Sequence, residues 1–466
     1  MNCTFNALKG KKILFLLMAI FMTASCKMTE SYKHPSAMAD NKLFRDITTT
    51  DTTSLGNLPW KELFTDTTLQ VLIQEGIDHN LDLKIAMARI KQAQANLRQS
   101  KAALYPTLSV NANIPVENSI KTNTVSTTGL YQLYAASGWE ADIWGKLRSA
   151  KRAELAAYMQ SEAYKRAVQT QLVSDIATNY YTLMAYDAQL EVTKKTVANR
   201  ILDVEVMNKL KESDVVTGAG VVQSEANRYS VEVTIPDLKQ NIRVTENTLS
   251  ILLGRSPGEI DRDSLKNQQQ WTDIQTGIPL QLLANRPDVQ EAEYQLRYYA
   301  ELTNAARAYF YPSLTITAEA GFLNSDLSKL FNPTSFFANL LIGLTQPIFN
   351  HGLNKQRLDV AKAQEEEYLQ TFKKTLLNAG EEVSNALYNY QAATDKIILR
   401  EQQIAYLVKA VDFTKELLKY TANTNYTDVL TSEQSLLAAQ LSSVSDKLQQ
   451  LQAVISLYRS LGGGWK

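Results

Sequence analysis

Apolar residues recur along this chain in two different periods. In two long segments they fall at every seventh position, and in four shorter runs they alternate one by one with polar residues. A seven-residue period is typical of helices that pack along a narrow seam, and a two-residue period is typical of strands with one apolar face. The pattern therefore predicts long helices joined to a small number of strands.

The seven-residue period marks the long helices. It runs from Ile176 to Val204 in the first half of the chain and from Val383 to Leu418 in the second, and neither segment contains proline. A helix from about 146 to 211 would be about 100 Å long at 1.5 Å per residue. Such a helix exceeds the ordinary globular length, and its strict seven-residue repeat indicates a left-handed supercoil.

Four alternating runs predict strands near 105–116, 129–143, 311–323 and 336–349. Each run is close to the length of a transmembrane strand, roughly 9 to 11 residues. The first three have an apolar side and a polar side. The fourth is more apolar throughout, and Gln346 interrupts its outward side.

Several short motifs occur twice at nearly constant separation. The offset is 206 residues at the Tyr-Pro pairs, 207 at two glycines and 208 at two later motifs; the pairs are Tyr105-Pro106 and Tyr311-Pro312, Gly145 and Gly352, Val221–Glu225 and Val429–Glu433, and Leu253-Gly254 and Leu461-Gly462. Offsets that drift by one residue at a time are what a duplication with small loop changes produces. The chain is therefore predicted to contain two helix–strand–strand–helix repeats.

The domain organisation follows from these repeats. We expect a signal peptide (1–25), followed by a lipidated N-terminal segment that forms part of an equatorial belt (26–68) and a first repeat (69–255). An equatorial linker (256–280), a second repeat (281–462) and a short tail (463–466) complete the chain.

The first residues are typical of a bacterial secretory signal. Three lysines precede the apolar run Ile13–Met22, and small residues then precede Cys26. The pattern resembles a lipobox, in which Cys26 becomes the diacylated first residue of the mature chain. The alternative is an ordinary signal peptide with an incidental cysteine. Cys3, the other cysteine, is lost with the signal, so the mature protein has no internal disulfide.

Composition and motifs argue against other classes of protein. Basic and acidic residues balance at 48 each, so the chain lacks the electrostatic footprint of a nucleic-acid-binding protein. The three histidines have no metal-ligand spacing, and no motif suggests a nucleophile. We therefore expect neither an enzyme nor a cofactor.

Four strands with an apolar face cannot form a closed barrel alone. About eight strands are needed for closure, and an open edge inside lipid is not viable. Three copies would supply 3 × 4 = 12 strands, continued by three sets of long helices. The alternative fold is a soluble β-sandwich with helical arms, which leaves Glu140, Asp142 and Glu319 without a place.

Several ordered motifs carry a resemblance to a known family. "SGWEADIWGKLRSAKRAE" (137–154), "NRPDVQEAEYQLR" (285–297), the following "YPSLTITAEAG" and "NYTDVLTSEQSLLAAQ" (425–440) are similar to signatures of the TolC-like outer-membrane efflux proteins. The resemblance is to the lipidated branch that serves resistance-nodulation-division pumps. It implies a trimeric, twelve-stranded outer-membrane β-barrel continued by a periplasmic α-helical coiled-coil barrel.

The resemblance also implies a function. The protein is expected to be the passive exit duct of a tripartite efflux system of a Gram-negative bacterium, lipid-anchored in the outer membrane and extending into the periplasm. Its expected partners are two further copies of itself, a periplasmic adaptor, an inner-membrane pump and outer-membrane lipid. Drug efflux, metal-ion efflux and protein export remain open as its task. The rival hypothesis is a pore-less periplasmic coiled-coil lipoprotein of structural or adaptor type.

A resting duct must be closed, and we expect its constriction at the turns between the long helices. They are predicted near 211–220 and 419–430. Asp214 and Asp428 are candidates for a pore-facing ring of carboxylates, and Tyr420 and Arg200 are candidate latches. The alternative is that these are solvated turn and cap residues, because Asp428 precedes an apolar helical run and suits an N-cap.

Overall fold

A computed structural model describes residues 30, 32–33, 54–114, 117–119, 124–126, 129–268, 284–420 and 426–466, with backbone alone at 117–119, 124–126 and 419–420. The chain divides into two compact units. One unit comprises 1–35, 89–161 and 291–373, and the other comprises 36–88, 162–290 and 374–466.

The first half of the chain contains six helices and four strands among its described residues. In chain order they are α1 (Trp60–Leu63), α2 (Thr67–His79), α3 (Leu81–Ala102), β1 (Thr107–Asn113), β2 (Glu117–Ser119), β3 (Thr124–Ser126), β4 (Tyr131–Ala141), α4 (Lys146–Glu212), α5 (Gly218–Glu232) and α6 (Thr234–Leu252).

The second half repeats the order of the main elements. These elements are α7 (Pro287–Ala308), β5 (Ser313–Asn324), β6 (Phe336–Thr345), α8 (Leu353–Tyr420) and α9 (Tyr426–Ser460). The predicted mainly helical fold with a small sheet is confirmed. The long helices α4 and α8 contain 67 and 68 residues. No helix in the described ranges has both the length and the apolar character needed to cross a membrane.

The seven-residue period corresponds to buried seams in the helices. Ile176 and Leu183 on α4 and Val383 on α8 are completely buried, and Val204 and Val411 are nearly so. Side chains at this spacing lie on one side of a helix, where a neighbouring helix can cover them. The period therefore identified the packed side of both long helices.

The four longer strands form one antiparallel sheet in the order β1-β4-β5-β6. The short strands β2 and β3 pair with each other in a separate hairpin that the sequence pattern did not predict. Within the sheet the register places apolar residues opposite apolar residues: Leu133 pairs with Phe322, and Ile316 pairs with Ile342. The predicted two-sided strands therefore combine into a sheet with one apolar face and one largely polar face.

The strand boundaries correct the predicted ones. β1 and β5 begin at Thr107 and Ser313, one residue after the prolines of the repeated Tyr-Pro motif. Proline has no N–H to donate to a ladder, so pairing begins after it. β4 and β6 end at Ala141 and Thr345, short of the predicted 143 and 349.

Gly145 and Gly352 explain the repeated junction between strand and helix. Both adopt left-handed backbone conformations, with φ of 79° and 78°. This conformation lacks a steric penalty only for glycine. Each glycine lies immediately before a long helix, so the glycines allow the chain to leave the extended conformation.

Candidate functional site

The apolar face of the sheet is exposed in the single chain. Large aliphatic side chains from both outer strands leave it uncovered, with exposed fractions of 62–77%: Leu108, Val110, Leu340, Ile342 and Leu344. Such a large uncovered patch is typical of a surface that contacts lipid or another protein. Trp139 lies on the same face and donates its indole N–H to the carbonyl of Leu104 at 3.0 Å.

The opposite face of the sheet carries hydrogen-bonding side chains. Asn113 donates to Gln132 at 3.1 Å across β1 and β4. Glu319 lies opposite Asn339 in the pairing of β5 with β6. Glu319, which a soluble sandwich would leave without a polar environment, thus lies on the polar face of the sheet.

The two remaining acids lie at the junction of β4 with α4. Glu140 forms an ion pair with Lys146 at 2.5 Å. The Asp142 carboxylate accepts the backbone N–H groups of Leu147 and Arg148 at 2.9 and 2.8 Å. Asp142 therefore caps the N-terminus of a 67-residue helix, where negative charge is favoured.

The outer strands of the sheet have one partner each among the described strands. β1 pairs with β4, and β6 pairs with β5. The outer edge of each strand therefore presents backbone N–H and C=O groups to further pairing. A sheet with an apolar face and two such edges requires a second copy or another covering element.

Asp214 lies in the reversal between α4 and α5. Its φ is 52°, a left-handed conformation that is uncommon for aspartate. Its N–H bonds to the Lys211 carbonyl at 3.0 Å, and the N–H of Val215 bonds to Leu210 at 2.9 Å. This is the Schellman pattern of a helix C-terminus, in which glycine usually stands at the position of Asp214. The Asp214 side chain is exposed.

Asp428 is exposed in the first turn of α9. It does not occupy the N-cap position that its sequence context suggested, because the helix already begins at Tyr426. A carboxylate in this turn still interacts favourably with the positive end of the helix. The side chain of Tyr420 lies outside the described residues, as does Cys26.

Arg200 is buried, with 1% of its surface exposed. Its guanidinium donates to the carboxylate of Glu433, which links α4 to α9. The same carboxylate forms an ion pair with the ammonium of Lys415 on α8 at 2.6 Å. The Lys415 ammonium also forms an ion pair with Asp203 of α4 at 3.0 Å. Two cations and two carboxylates thus connect three helices within one chain.

Burial and charge shift two pKa values in this network. Burial, with added repulsion from Asp203, raises the pKa of Glu433 despite the hydrogen bond from Lys415. Burial alone would lower the pKa of Lys415, but the bonds and charges of Glu433 and Asp203 raise it. Glu433 therefore becomes neutral at a higher pH than an exposed glutamate does.

An apolar cluster lies beside the ion pairs, where the helices turn. Its buried members are Met207, Tyr426, Val429 and Leu430, packed against Leu210, Val216, Val221 and Leu418. The Tyr426 hydroxyl also hydrogen-bonds to the hydroxyl of Ser224 on α5 at 2.9 Å. The cluster and the network together connect the helix ends on either side of the two turns, and we name this group of residues the tip.

Sequence reasoning identified Arg200 but missed its partners. Glu433 was visible as the last residue of the repeated motif Val429–Glu433, although nothing in the motif indicated an ion pair. Arg200 and Glu433 are separated by 233 positions, so no local spacing relates them. The described part of the chain also contains no group of three metal-ligating side chains that could hold an ion.

Comparison with known proteins gives a consistent set of relatives. Residues 72–255 and 278–463 match the sequence profile of a family described as outer membrane efflux protein. The cation efflux system protein CusC of Escherichia coli K12 is 29% identical over 461 residues, covering 97% of this chain and 99% of that protein. The probable efflux pump outer membrane protein TtgC of Pseudomonas putida is 27% identical over 465 residues, covering 98% and 96%.

Solved structures have the same fold. A crystal structure of CusC superposes with a TM-score of 0.86 at 27% identity, covering 94% of this chain and all of that one. The open state of the MtrE outer membrane channel of Neisseria gonorrhoeae gives a TM-score of 0.85 at 24% identity, covering 95% and 99%.

Proposed function

The chain belongs to the outer membrane efflux protein family, and from this premise we propose that it is the passive exit duct of a tripartite efflux system. It is located in the outer membrane of a Gram-negative bacterium and exports small molecules. The work is supplied by an inner-membrane pump, reached through a periplasmic adaptor. The relatives are channel proteins, and no catalytic step is assigned to this chain.

The register of the sheet is the observation that carries this proposal. Apolar residues share one face on all four strands. The large ones on the outer strands are exposed, and those on the inner strands, such as Leu133 and Ile316, are half-buried. Such a face is stable in lipid, whereas the polar face is stable beside water. A soluble coiled-coil lipoprotein would have no reason to expose that apolar surface.

A homotrimer completes the sheet. The outer edge of β6 in one copy would pair with the outer edge of β1 in the next, and three copies would give 3 × 4 = 12 strands. Closure removes every strand edge, which is the condition for a sheet in lipid. The interface is head-to-tail, and a rotation of one third closes it into a ring.

The helices support the same assembly. On α8, Leu399, Tyr406 and Phe413 are 62–72% exposed, and each stands two residues after a seam residue. Two residues correspond to about 200° around a helix, so this stripe points away from the seam. Val222, Tyr229 and Ile251 form a similar stripe on α5 and α6. We assign both stripes to contacts with neighbouring copies.

The tip is the proposed gate. Asp214 and Asp428 are exposed near the helix turns, and we assign them to a pore-facing ring of carboxylates. Arg200 acts as a latch within one chain, through Glu433, and Tyr420 is proposed as a second latch. Opening would require α8 and α9 to move relative to α4, which breaks the Arg200–Glu433 and Lys415–Asp203 pairs.

Lipid attachment at Cys26 is supported by the position of Glu30. The Asn304 side chain accepts the Glu30 N–H at 3.1 Å and donates to its carbonyl at 2.9 Å, while Arg307 pairs with its carboxylate at 3.1 Å. Four residues extend at most about 14 Å. Glu30, four residues after Cys26 in the sequence, is thus fixed near the end of α7, shortly before β5 begins. We assign the lipid attachment to this end of the sheet.

Reconstitution in planar bilayers tests the function. Purified lipidated protein is expected to migrate as a trimer in mild detergent and to conduct ions as discrete channels. A monomer without conductance would overturn the proposal and favour the pore-less lipoprotein.

A further inference from the structure

A cavity of about 350 Å³ lies at the junction of sheet and helices. Its lining comes from the end of β4, the end of α7 and the residues after it, the start of β5, the end of β6 and the first residues of α4 and α8, all within one compact unit. This volume is within the usual range for a small-molecule site, about 300 to 1,000 Å³.

The cavity lies on the polar side of the sheet. Three lining residues, Glu140, Ser313 and Thr345, belong to that side: Glu140 pairs with Thr315, and Ser313 pairs with Thr345. Under the proposed function this face lines the passage. A solute leaving the helical part and entering the strand part would meet the cavity.

Aromatic rings and cations meet in the cavity. The ring of Tyr309 has the ammonium of Lys146 at 5.1 Å and the guanidinium of Arg357 at 4.7 Å from its centroid. The Asn354 side chain donates to the Tyr309 carbonyl at 2.8 Å and holds this segment in place. The rings of Trp144 and Tyr311 lie with their centroids 5.1 Å apart at an angle of 30° and add further aromatic surface.

The cavity is lined by two acids and two bases, but only one of these bases is in an ion pair among the residues that the structure describes. Lys146 is paired with Glu140, and Asp142 is occupied by Arg148 at 3.1 Å and by the start of α4. Arg357, by contrast, has no carboxylate within ion-pair distance among the residues that the structure describes. Its positive charge remains available to an incoming anion.

The duplication shows that Arg357 belongs to the second junction alone. Subtracting the offset of 207 from 357 gives 150, and that position is Ala150. Adding the same offset to Asp142 gives 349, and that position is Phe349. The second junction therefore has an additional base, Arg357, and an aromatic ring where the first junction has a carboxylate.

We infer that this cavity binds planar aromatic anions, such as aryl carboxylates and aryl sulfonates, as they pass through the duct. The anionic group pairs with the guanidinium of Arg357, whose planar fork suits two oxygens of one acid group. The ring packs beside Tyr309, Trp144 and Tyr311. This inference rests on the proposed function, because it requires that the polar face line the passage.

Single-channel recording tests the site. Benzenesulfonate, naphthalene-2-sulfonate and methanesulfonate are added separately to both sides at equal ionic strength. The two aryl sulfonates are expected to block current in a concentration-dependent way, and methanesulfonate to block far less. Arg357→Gln should raise the half-blocking concentration on the order of tenfold, because a charged hydrogen bond is lost. Block is expressed relative to the open current of each variant.

Lys355→Gln is the matched control, since Lys355 is an exposed base two residues away that does not line the cavity. Its half-blocking concentration should remain at the wild-type value. Tyr309→Leu should remove the preference for aryl sulfonates over methanesulfonate. If the Arg357→Gln protein does not insert into the bilayer, block of the Tyr309→Leu channel tests the site instead.

Two results would overturn the site: equal block by methanesulfonate, or an equal loss of block in Lys355→Gln. Absence of any channel current in the wild type would instead contradict the proposed function. The two failures are therefore distinguishable.

Discussion

At the residue scale, buried and exposed charged residues have different roles. Arg200 and Glu433 are buried and paired, whereas Asp214 and Asp428 are exposed near the same turns. A buried pair is costly to break because the remaining charge has no water around it. An exposed carboxylate acts instead through its field on passing ions.

Glu433→Gln is expected to weaken the closed tip. The variant keeps the side-chain volume but removes the charge that holds both Arg200 and Lys415, and breaking such a buried pair costs about 3–5 kcal/mol. Channels of the variant should open more often in planar bilayers. Glu416→Gln, an exposed acid on α8, serves as the control and should behave like the wild type. Unchanged opening in Glu433→Gln would show that the pair is not part of the gate.

Asp214→Ala combined with Asp428→Ala tests the proposed ring of carboxylates. Removing these charges should raise or otherwise change single-channel conductance and reduce the preference for cations. Identical conductance and cation preference in the double variant would reject these residues as the ring and leave them as turn residues. Asp214→Asn is a useful companion, because asparagine tolerates the left-handed conformation that alanine resists.

At the scale of helices and strands, the chain exposes more apolar surface than it can cover by itself. The sheet leaves one face uncovered, and α8 carries an apolar stripe opposite its buried seam. Within the chain α8 contacts α9 and, at Lys415, α4, and these contacts leave the stripe exposed. Under the proposed assembly another copy covers the stripe.

Tyr406→Glu is expected to dissociate the trimer. The substitution places a charge in the middle of the α8 stripe, where burial against a neighbouring copy would leave it without a partner. The fraction of trimer in mild detergent should fall, as measured by light scattering. Ala405→Glu adds the same charge at an adjacent exposed position off the stripe, and it should remain trimeric. Full trimer in Tyr406→Glu would exclude the stripe from the interface.

At the scale of the whole molecule, the proposed lipid anchor at Cys26 and the sheet would act on the same membrane. The segment at Glu30 is held by Asn304 and Arg307 near the end of α7, and the sheet begins a few residues later. Under the proposed lipid attachment at Cys26, the lipid and the apolar strand face would be two independent attachments to one membrane. Two attachments bind a membrane more firmly than either one alone.

Cys26→Ser is expected to abolish acylation. Labelled palmitate should be incorporated into the wild-type protein in cells and not into the variant. Cys3→Ser removes the other cysteine, which lies in the signal, and should leave labelling unchanged. Palmitate in the Cys26→Ser protein would show that Cys26 is an incidental cysteine after an ordinary signal peptide.

The sequence alone determined the elements of this protein and their repetition. The period of seven identified the buried side of α4 and α8, and the period of two identified β1, β4, β5 and the apolar β6. Both signals depend only on neighbours along the chain, since the geometry of a helix or strand converts spacing directly into a face. Strand ends were less predictable, although the prolines before β1 and β5 marked two of them.

Only the tertiary structure decided which elements meet. The strand order, the register and the partners of Arg200 join residues that lie far apart in sequence, such as Arg200 and Glu433. The cavity beside Tyr309 likewise joins segments from both repeats. No periodicity encodes such contacts, because they arise when separate faces pack together and bury apolar surface that each element exposes alone.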